Sequence, residues 1–146
     1  MKFQGTTTIQ ASREAVYDFL IDPNQVTQCA PGVQKVEVTS PEAFVVIAGI
    51  GFGMVKVTFN NQVTWTAMDR PTKAEAKVHG DAPSGALDAT AAMHLSDGDG
   101  GATVLTWEAD VNLAGQIASL ASRMMQPMAK QLTGQFFDCV RKKIER

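Results

Sequence analysis

Residues 116–146 carry an apolar side chain at every third or fourth step: Ile117, Leu120, Met124, Met128, Leu132, Phe136, Val140 and Ile144. That is the period of an α-helix and not of a strand, so the segment is expected to form one long amphipathic helix. Ala118, Ala121, Met125, Ala129 and Phe137 widen the apolar stripe, while Ser119, Ser122, Arg123, Lys130 and Gln131 mark the opposite, solvated face. At ~1.5 Å per residue the helix is roughly 45 Å long, enough to lie across a whole sheet. Two residues interrupt its uniformity. Pro127 lacks the N–H that would bond the Arg123 carbonyl, which predicts a kink among the methionines, and Gly134 weakens the next turn by ~1 kcal/mol relative to Ala. The expectation is a jointed lid whose second half is held by Phe136, Val140 and Ile144, and whose first half, from Gly115 to the kink, can open.

The preceding chain must supply the sheet. Phe3, Gly5, Thr7 and Ile9 alternate with polar neighbours as one half-buried strand. Ser12 then caps a helix with Glu14 in its first turn and Val16, Phe19 and Leu20 on its core face. Asp22-Pro23 ends that helix and begins a second, with Val26 and Cys29 on its buried side, and Pro31-Gly32 turns the chain. From Val33 onward short strands follow one another, broken at Ser40-Pro41-Glu42, Gly51-Phe52-Gly53, Asp69-Arg70-Pro71, Asp81-Ala82-Pro83 and the glycine-rich residues 97–101. Alternation assigns the inward faces: Val55, Val57, Phe59, Val63 and Trp65; Ala74, Ala76 and Val78; Leu87, Ala89, Ala91, Met93 and Leu95; Leu105, Trp107, Ala109, Val111 and Leu113. The result is an α+β domain spanning residues 1–146, with a curved, seven-stranded antiparallel sheet, two short helices after the first strand and a long C-terminal helix.

Composition narrows the function. A net charge of −2 with interspersed signs gives no electrostatic footprint for nucleic acid. No apolar run approaches membrane-spanning length and the N-terminus has no signal core, so a cytosolic protein, at most peripheral to a membrane, is expected. The two cysteines, Cys29 and Cys139, are far apart and form no CxxC pair, so they read as free buried thiols in a reducing compartment. The inner residues of two central strands are small: Ala74, Ala76, Ala89 and Ala91. A helix spanning them from larger residues at either end leaves an apolar cavity, while close packing onto the alanines would fill it.

At this level of detail the chain resembles a known family. Met1, Lys2, Phe3 and Gly5, then the run Val16, Phe19, Leu20, Asp22, Pro23, Val26, Cys29, Pro31, Gly32 and Val33, then Thr106 to Val111, then Phe136-Phe137 are similar to the CoxG family of carbon monoxide dehydrogenase subunits. Its most specific part is the stretch from Asp22-Pro23 to Val33. The resemblance implies a START-like, Bet v 1-like helix-grip fold with an apolar cavity. It also implies an accessory role: recruiting or linking a CO dehydrogenase-type molybdenum hydroxylase to the cytoplasmic membrane. Members often carry an apolar tail; this chain stops at Arg146, so the expectation does not extend to anchoring through such a tail. Where members tend to have Gly, this chain has Asn61 on the inward parity, either as a bulge at positive φ or as a polar ligand contact. Residues 44–50 are apolar on both faces, and Val45 and Ile47 on the outer one form a candidate contact surface for a second copy, the enzyme partner or lipid.

Other candidate chemistry is weighed against plainer readings. The alternating glycines of residues 49–53 lead into another strand, not a helix, so they form a hairpin and not a dinucleotide loop. Phe52 at its tip could gate the cavity, dip into a membrane, or fold inward as a plug. His79 and His94 face outward with no partner at metal spacing, and Glu108 and Asp110 read as polar surface. Arg141, Lys142 and Lys143 complement the negative end of the last helix or attract anionic lipid. No motif places a base beside a nucleophile, so no catalytic residue, metal or cofactor is expected. The leading expectation is a non-enzymatic protein that holds a lipid-like or quinone-like molecule. Its cavity is built from Phe59, Asn61, Trp65, Ala76, Ala89, Ala91, Trp107, Ala109, Leu120, Met124, Met125 and Met128. The alternative is a cyclase- or hydrolase-like enzyme on an apolar ring substrate, with Asn61 and Thr7 as its polar groups; a third is an adaptor whose cavity is filled by Trp65, Trp107 and the methionines.

Overall fold

A computed structural model describes residues 1–52 and 54–145, with the side chain of Phe52 also outside the described set. The elements run β1 (Lys2–Ile9), α1 (Arg13–Ile21), α2 (Pro23–Val26), β2 (Val33–Ser40), β3 (Ala43–Phe52), β4 (Val55–Asp69), β5 (Lys73–Ala82), β6 (Gly85–Asp97), β7 (Thr103–Gly115) and α3 (Gln116–Ile144). The described strands form a seven-stranded sheet in the order β1-β7-β6-β5-β4-β3-β2, with every neighbouring pair antiparallel. Thus β2 to β7 are a simple meander, and β1 closes onto the far edge.

The local signals act as expected at the helix starts. Ser12 accepts from the Ala15 N–H at 3.2 Å, and Asp22 accepts from the Asn24 N–H at 3.0 Å, each satisfying a donor that a helix start leaves free. The entry into α3 uses no side-chain cap; Gly115 turns the chain at φ 88°, and the Ile117 N–H bonds the Ser84 carbonyl at 3.3 Å. A Cβ on Gly115 would stand 2.7 Å from the Cα of Gly85, so only glycine fits this junction. Helix α3 is continuous from Gln116 to Ile144, with Pro127 inside it. Pro127 and Arg123 are both exposed, which leaves the orphaned Arg123 carbonyl open to water.

Two apolar clusters hold α3 to the sheet, one at each half. Ile117 and Ala121 pack with Val57 and Phe59 at the β3–β4 end. Phe137 and Val140 join Ile9, Val16, Tyr17, Phe19, Leu20, Leu95 and Leu105 at the other. Between them, inward positions of the sheet stay open: Val63, Val78, Ala89 and Val111 are only half-buried and Ala91 is exposed. Val55, assigned inward by alternation, is 47% exposed, because it sits at the hairpin tip beyond the reach of the helix.

Cys29 and Cys139 are joined in a disulfide, which corrects the expectation of free thiols. The bridge ties the turn after α2 to the second half of α3, with Cα atoms 5.4 Å apart. Distance along the chain says nothing about distance in the fold. The compartment argument that rested on free thiols falls with it. Among the described residues no helix is long and apolar enough to cross a membrane.

Candidate functional site

The space between α3 and the sheet is a cavity of about 210 Å³. Its floor is Phe3, Phe59, Leu87, Trp107, Ala109, Val111 and Leu113, its roof Met125, Met128, Ala129, Leu132 and Thr133, and Ile50 stands at the β3 side. Thr133 alone among these brings a hydroxyl. Larger depressions, of about 610, 530 and 490 Å³, lie on the other face of the sheet among Lys2, Gln4, Glu75, Lys77, Glu108 and Asp110. Those side chains are solvated, whereas the inner space is lined almost wholly by carbon and is the one suited to an apolar ligand.

Strand register explains why there is room. Trp65, Ala76, Ala91, Ala109 and Phe3 lie side by side in one row across β4, β5, β6, β7 and β1. Three consecutive alanines leave a shallow trough between two aromatic walls. Trp107 lies over Gly5, where a Cβ would meet its Nε1 at 2.8 Å, so the missing side chain lets the indole rest flat on β1.

Of the residues assigned to the cavity from sequence, Phe59, Trp107, Ala109, Met125 and Met128 line this space. Leu120 and Met124 pack instead against the Val57 and Phe59 cluster. Trp65 packs against the other core and near Phe44, with ring centroids 6.4 Å apart, and Ala76 is buried. Ala89 and Ala91 face inward but lie outside the lining. Phe3, Ile50, Leu87, Val111, Leu113, Ala129, Leu132 and Thr133 were missed. Most carried the right signal, being on the inward parity or the helical stripe, but neither pattern says where along a strand the helix crosses.

Asn61 faces inward, yet it is not a bulge: β3 pairs with β4 in unbroken register through it, and no residue other than glycine has positive φ among those described. The irregularity on β4 falls between Trp65 and Ala67. Nδ2 of Asn61 donates to the Val46 carbonyl at 3.1 Å and the Phe59 carbonyl at 3.4 Å. Thr7, the other polar candidate, accepts from the guanidinium of Arg141, which also donates to the Thr8 carbonyl and pairs with Asp138 at 3.0 Å. Arg141 thus ties α3 to β1.

Val45 and Ile47 lie on the outer face, opposite Glu37 and Lys35 of β2 and Gln62 and Asn60 of β4, and are half-buried there. Phe52's side chain lies outside the described residues; its neighbour Met54 is fully exposed at the same tip. His79 is a surface residue, but it is not alone: Nδ1 meets Asp88 at 2.7 Å and Nε2 meets Asp81 at 3.2 Å. The hydrogen bond to Asp88 and the charge of Asp81 raise its pKa above the ordinary 6.5. Among the described residues no group of three His, Cys, Asp or Glu side chains is placed to hold a metal ion.

A curved antiparallel sheet gripping a C-terminal helix across an apolar space defines a helix-grip, START-like protein. The chain belongs to the CoxG family of carbon monoxide dehydrogenase subunits, whose model matches residues 5–145. Comparison with curated proteins finds no similar sequence. Among solved structures, a conserved protein from Geobacillus kaustophilus superposes with a TM-score of 0.90 at 23% identity, covering 98% of this chain and 94% of that one. The Zhui aromatase/cyclase from Streptomyces sp. R1128 gives 0.67 at 14% identity, over 99% and 96%. A START superfamily protein from Mycobacterium smegmatis gives 0.64 at 13%, over 94% and 98%. At these identities the likeness is one of fold.

Proposed function

We propose that the protein is a non-enzymatic carrier: it holds a lipid-like or quinone-like molecule between α3 and the sheet, and recruits or links a CO dehydrogenase-type molybdenum hydroxylase to the membrane. The observation that carries the binding half is the apolar cavity under the middle of α3, with adaptable Met125 and Met128 in its roof. Exposed Met54 and Val55 at the β3–β4 tip, close to Ile50 at the cavity's edge, support a membrane or partner contact there. The partner itself rests on family membership. At about 210 Å³ the cavity is below the ~300–1,000 Å³ usual for drug-sized ligands, so a longer molecule requires the lid to lift or its chain to project.

Organic extraction and mass spectrometry of the purified protein test this, alongside thermal shifts with quinones and lipids. Ala109→Phe, which fills the trough, should abolish both ligand retention and the thermal shift on adding quinones or lipids, with circular dichroism showing that the variant is folded. A wild-type protein that yields no extractable ligand and shows no shift with any of these compounds would sink the proposal.

A further inference from the structure

The apolar cavity shares a wall with a second, more polar space. Phe3, Trp107, Ala129 and Thr133 line both the cavity and a mouth of about 470 Å³ between the edge of β1 and the middle of α3, whose other walls are Lys2, Gln4, Gln126 and Lys130. Strand pairing explains the gap. Met1 and Val111 exchange both main-chain hydrogen bonds at 2.8 Å, and the alternation of an antiparallel pair then turns the amides and carbonyls of Lys2, Gln4, Thr6 and Thr8 away from β7, toward the free edge. Farther along, α3 and the residue after it cover that edge: Arg141 donates to the Thr8 carbonyl at 3.3 Å, and Glu145 accepts from the Gln10 N–H at 2.7 Å. At Gln4 no such cover is present among the described residues, and the mouth opens there.

The walls of the mouth hold two cations and no carboxylate. Lys2 and Lys130 are exposed, and neither forms an ion pair among the described residues. Lys2, on the edge strand, borders both this mouth and the outer face; Asp110, in register with it, is met instead by the N-terminal amine at 3.5 Å. Thr133 adds a hydroxyl. Ser119 and Ser122 each bond a carbonyl one turn back, but Thr133 makes no such bond among the described residues.

We propose that the ligand is an amphiphile whose polar end bears acceptor oxygens, as carbonyl or carboxylate, and no positive charge. This end lies at the β1–α3 mouth against Lys130, Lys2 and Thr133, while the apolar body occupies the cavity. The assignment rests on the carrier reading of the same cavity. An ammonium group only donates, so an oxygen head finds partners here and a cationic head finds repulsion. Size agrees, because the mouth takes what a cavity of about 210 Å³ cannot hold without α3 lifting.

The test uses three probes of one body, 2-naphthylacetate, 2-naphthylmethylammonium and the ketone 2-naphthylacetone, titrated calorimetrically into the wild-type protein. Both ions give up water to bind, and the protein's net charge of −2 favours the cation. The expected result is the reverse, with naphthylacetate about tenfold tighter than the ammonium at low salt and the gap narrowing as salt rises. The ketone also binds. Tighter than naphthylacetate, it marks the head as quinone-like; weaker, as fatty-acid-like. A Lys2→Gln, Lys130→Gln variant should close the gap between the two ions, and Lys142→Gln, Lys143→Gln, the same charge change at the far end of α3, should leave it; circular dichroism checks that each is folded. Equal or ammonium-favouring binding by the wild type overturns the proposal and leaves the carrier reading standing. A gap that survives the first variant, or closes equally in the second, overturns the assignment to the mouth. Failure of all three probes, together with an empty organic extract, overturns the carrier reading itself.

Discussion

Reducing the bridge between Cys29 and Cys139 should cost this fold a large part of its stability. The two residues are 110 positions apart in a chain of 146, so the bridge closes most of the chain into a loop. In the chain-entropy description a cross-link of that span removes about 4 to 5 kcal/mol of freedom from the unfolded state. Domains of this kind are stable by about 5 to 15 kcal/mol, so the loss is a third or more of the total. With a urea dependence of about 2 kcal/mol per molar, the unfolding midpoint should fall by about 2 M.

Urea titrations followed by tryptophan fluorescence would measure this for three samples: oxidised protein, protein reduced with dithiothreitol, and a Cys29→Ala, Cys139→Ala double variant. Mass spectrometry after alkylation gives the thiol count in each. Coincident midpoints for oxidised and reduced protein would refute the reasoning, as would two alkylatable thiols in protein purified without reductant. Without denaturant, the reduced protein should still hold ligand. Phe137 and Val140 remain buried in their cluster, and the contacts of Ile117 and Ala121 do not involve the bridge. Loss of ligand on reduction would show that the cross-link, and not apolar packing, keeps α3 in place.

Gly134→Ala should stabilise the protein by about 0.5 to 1 kcal/mol, since Gly134 is inside α3, exposed, and a Cβ there meets nothing within 4 Å. A lower urea midpoint for that variant would mean that the helix must bend at this turn. Tyr17→Phe should cost about 1 to 2 kcal/mol, because the buried hydroxyl donates to the Lys73 carbonyl at 3.0 Å and its loss leaves that acceptor unpaired; denaturation of the variant measures it. His79 makes a pH-dependent contribution. Its folded pKa is raised, so the stability it adds is fully present below about pH 6.5, its unfolded value, and is lost as pH rises through the folded value. His79→Gln should flatten the stability profile over that window; an unchanged slope would show that Asp88 and Asp81 do not hold the proton. The imidazole is exposed, so the effect is small.

Periodicity made most of the fold legible. The helical stripe, the alternation of the strands and the caps at Ser12 and Asp22 each reflect a local rule that holds wherever the segment ends up. What depended on how segments meet was hidden. Cys29 and Cys139 become neighbours only because α3 returns across the turn after α2. Alternation placed Trp65 and Trp107 both inward, but only the register of β7 against β1 puts Trp107 over Gly5 at the cavity, while Trp65 lies within reach of Phe44. The same limit applies to Asn61. Its inward parity is readable, but the carbonyls that fix its amide belong to pairings with β3 and to its own strand's pleat.

The two halves of α3 are held unequally, and this bears on how a ligand gets in. The second half has Phe137 and Val140 buried in the larger cluster, the Cys29 bridge, and Arg141 bonded to Thr7 and Thr8. The first half has only Ile117 and Ala121 fully buried, with Leu120, Met124, Met125 and Met128 partly so, and it leaves the sheet through an uncapped glycine. Fully burying a side chain such as Ile117 contributes ~1.5 to 3 kcal/mol. Peeling back the first turns therefore costs a few kcal/mol, within the range where a minor open state is populated, while lifting the second half means breaking a covalent bond or melting the core. If α3 opens, this imbalance predicts opening at the Gly115 end, where Ile117 packs with Val57 of the β3–β4 hairpin, and not at the end where the chain is cross-linked.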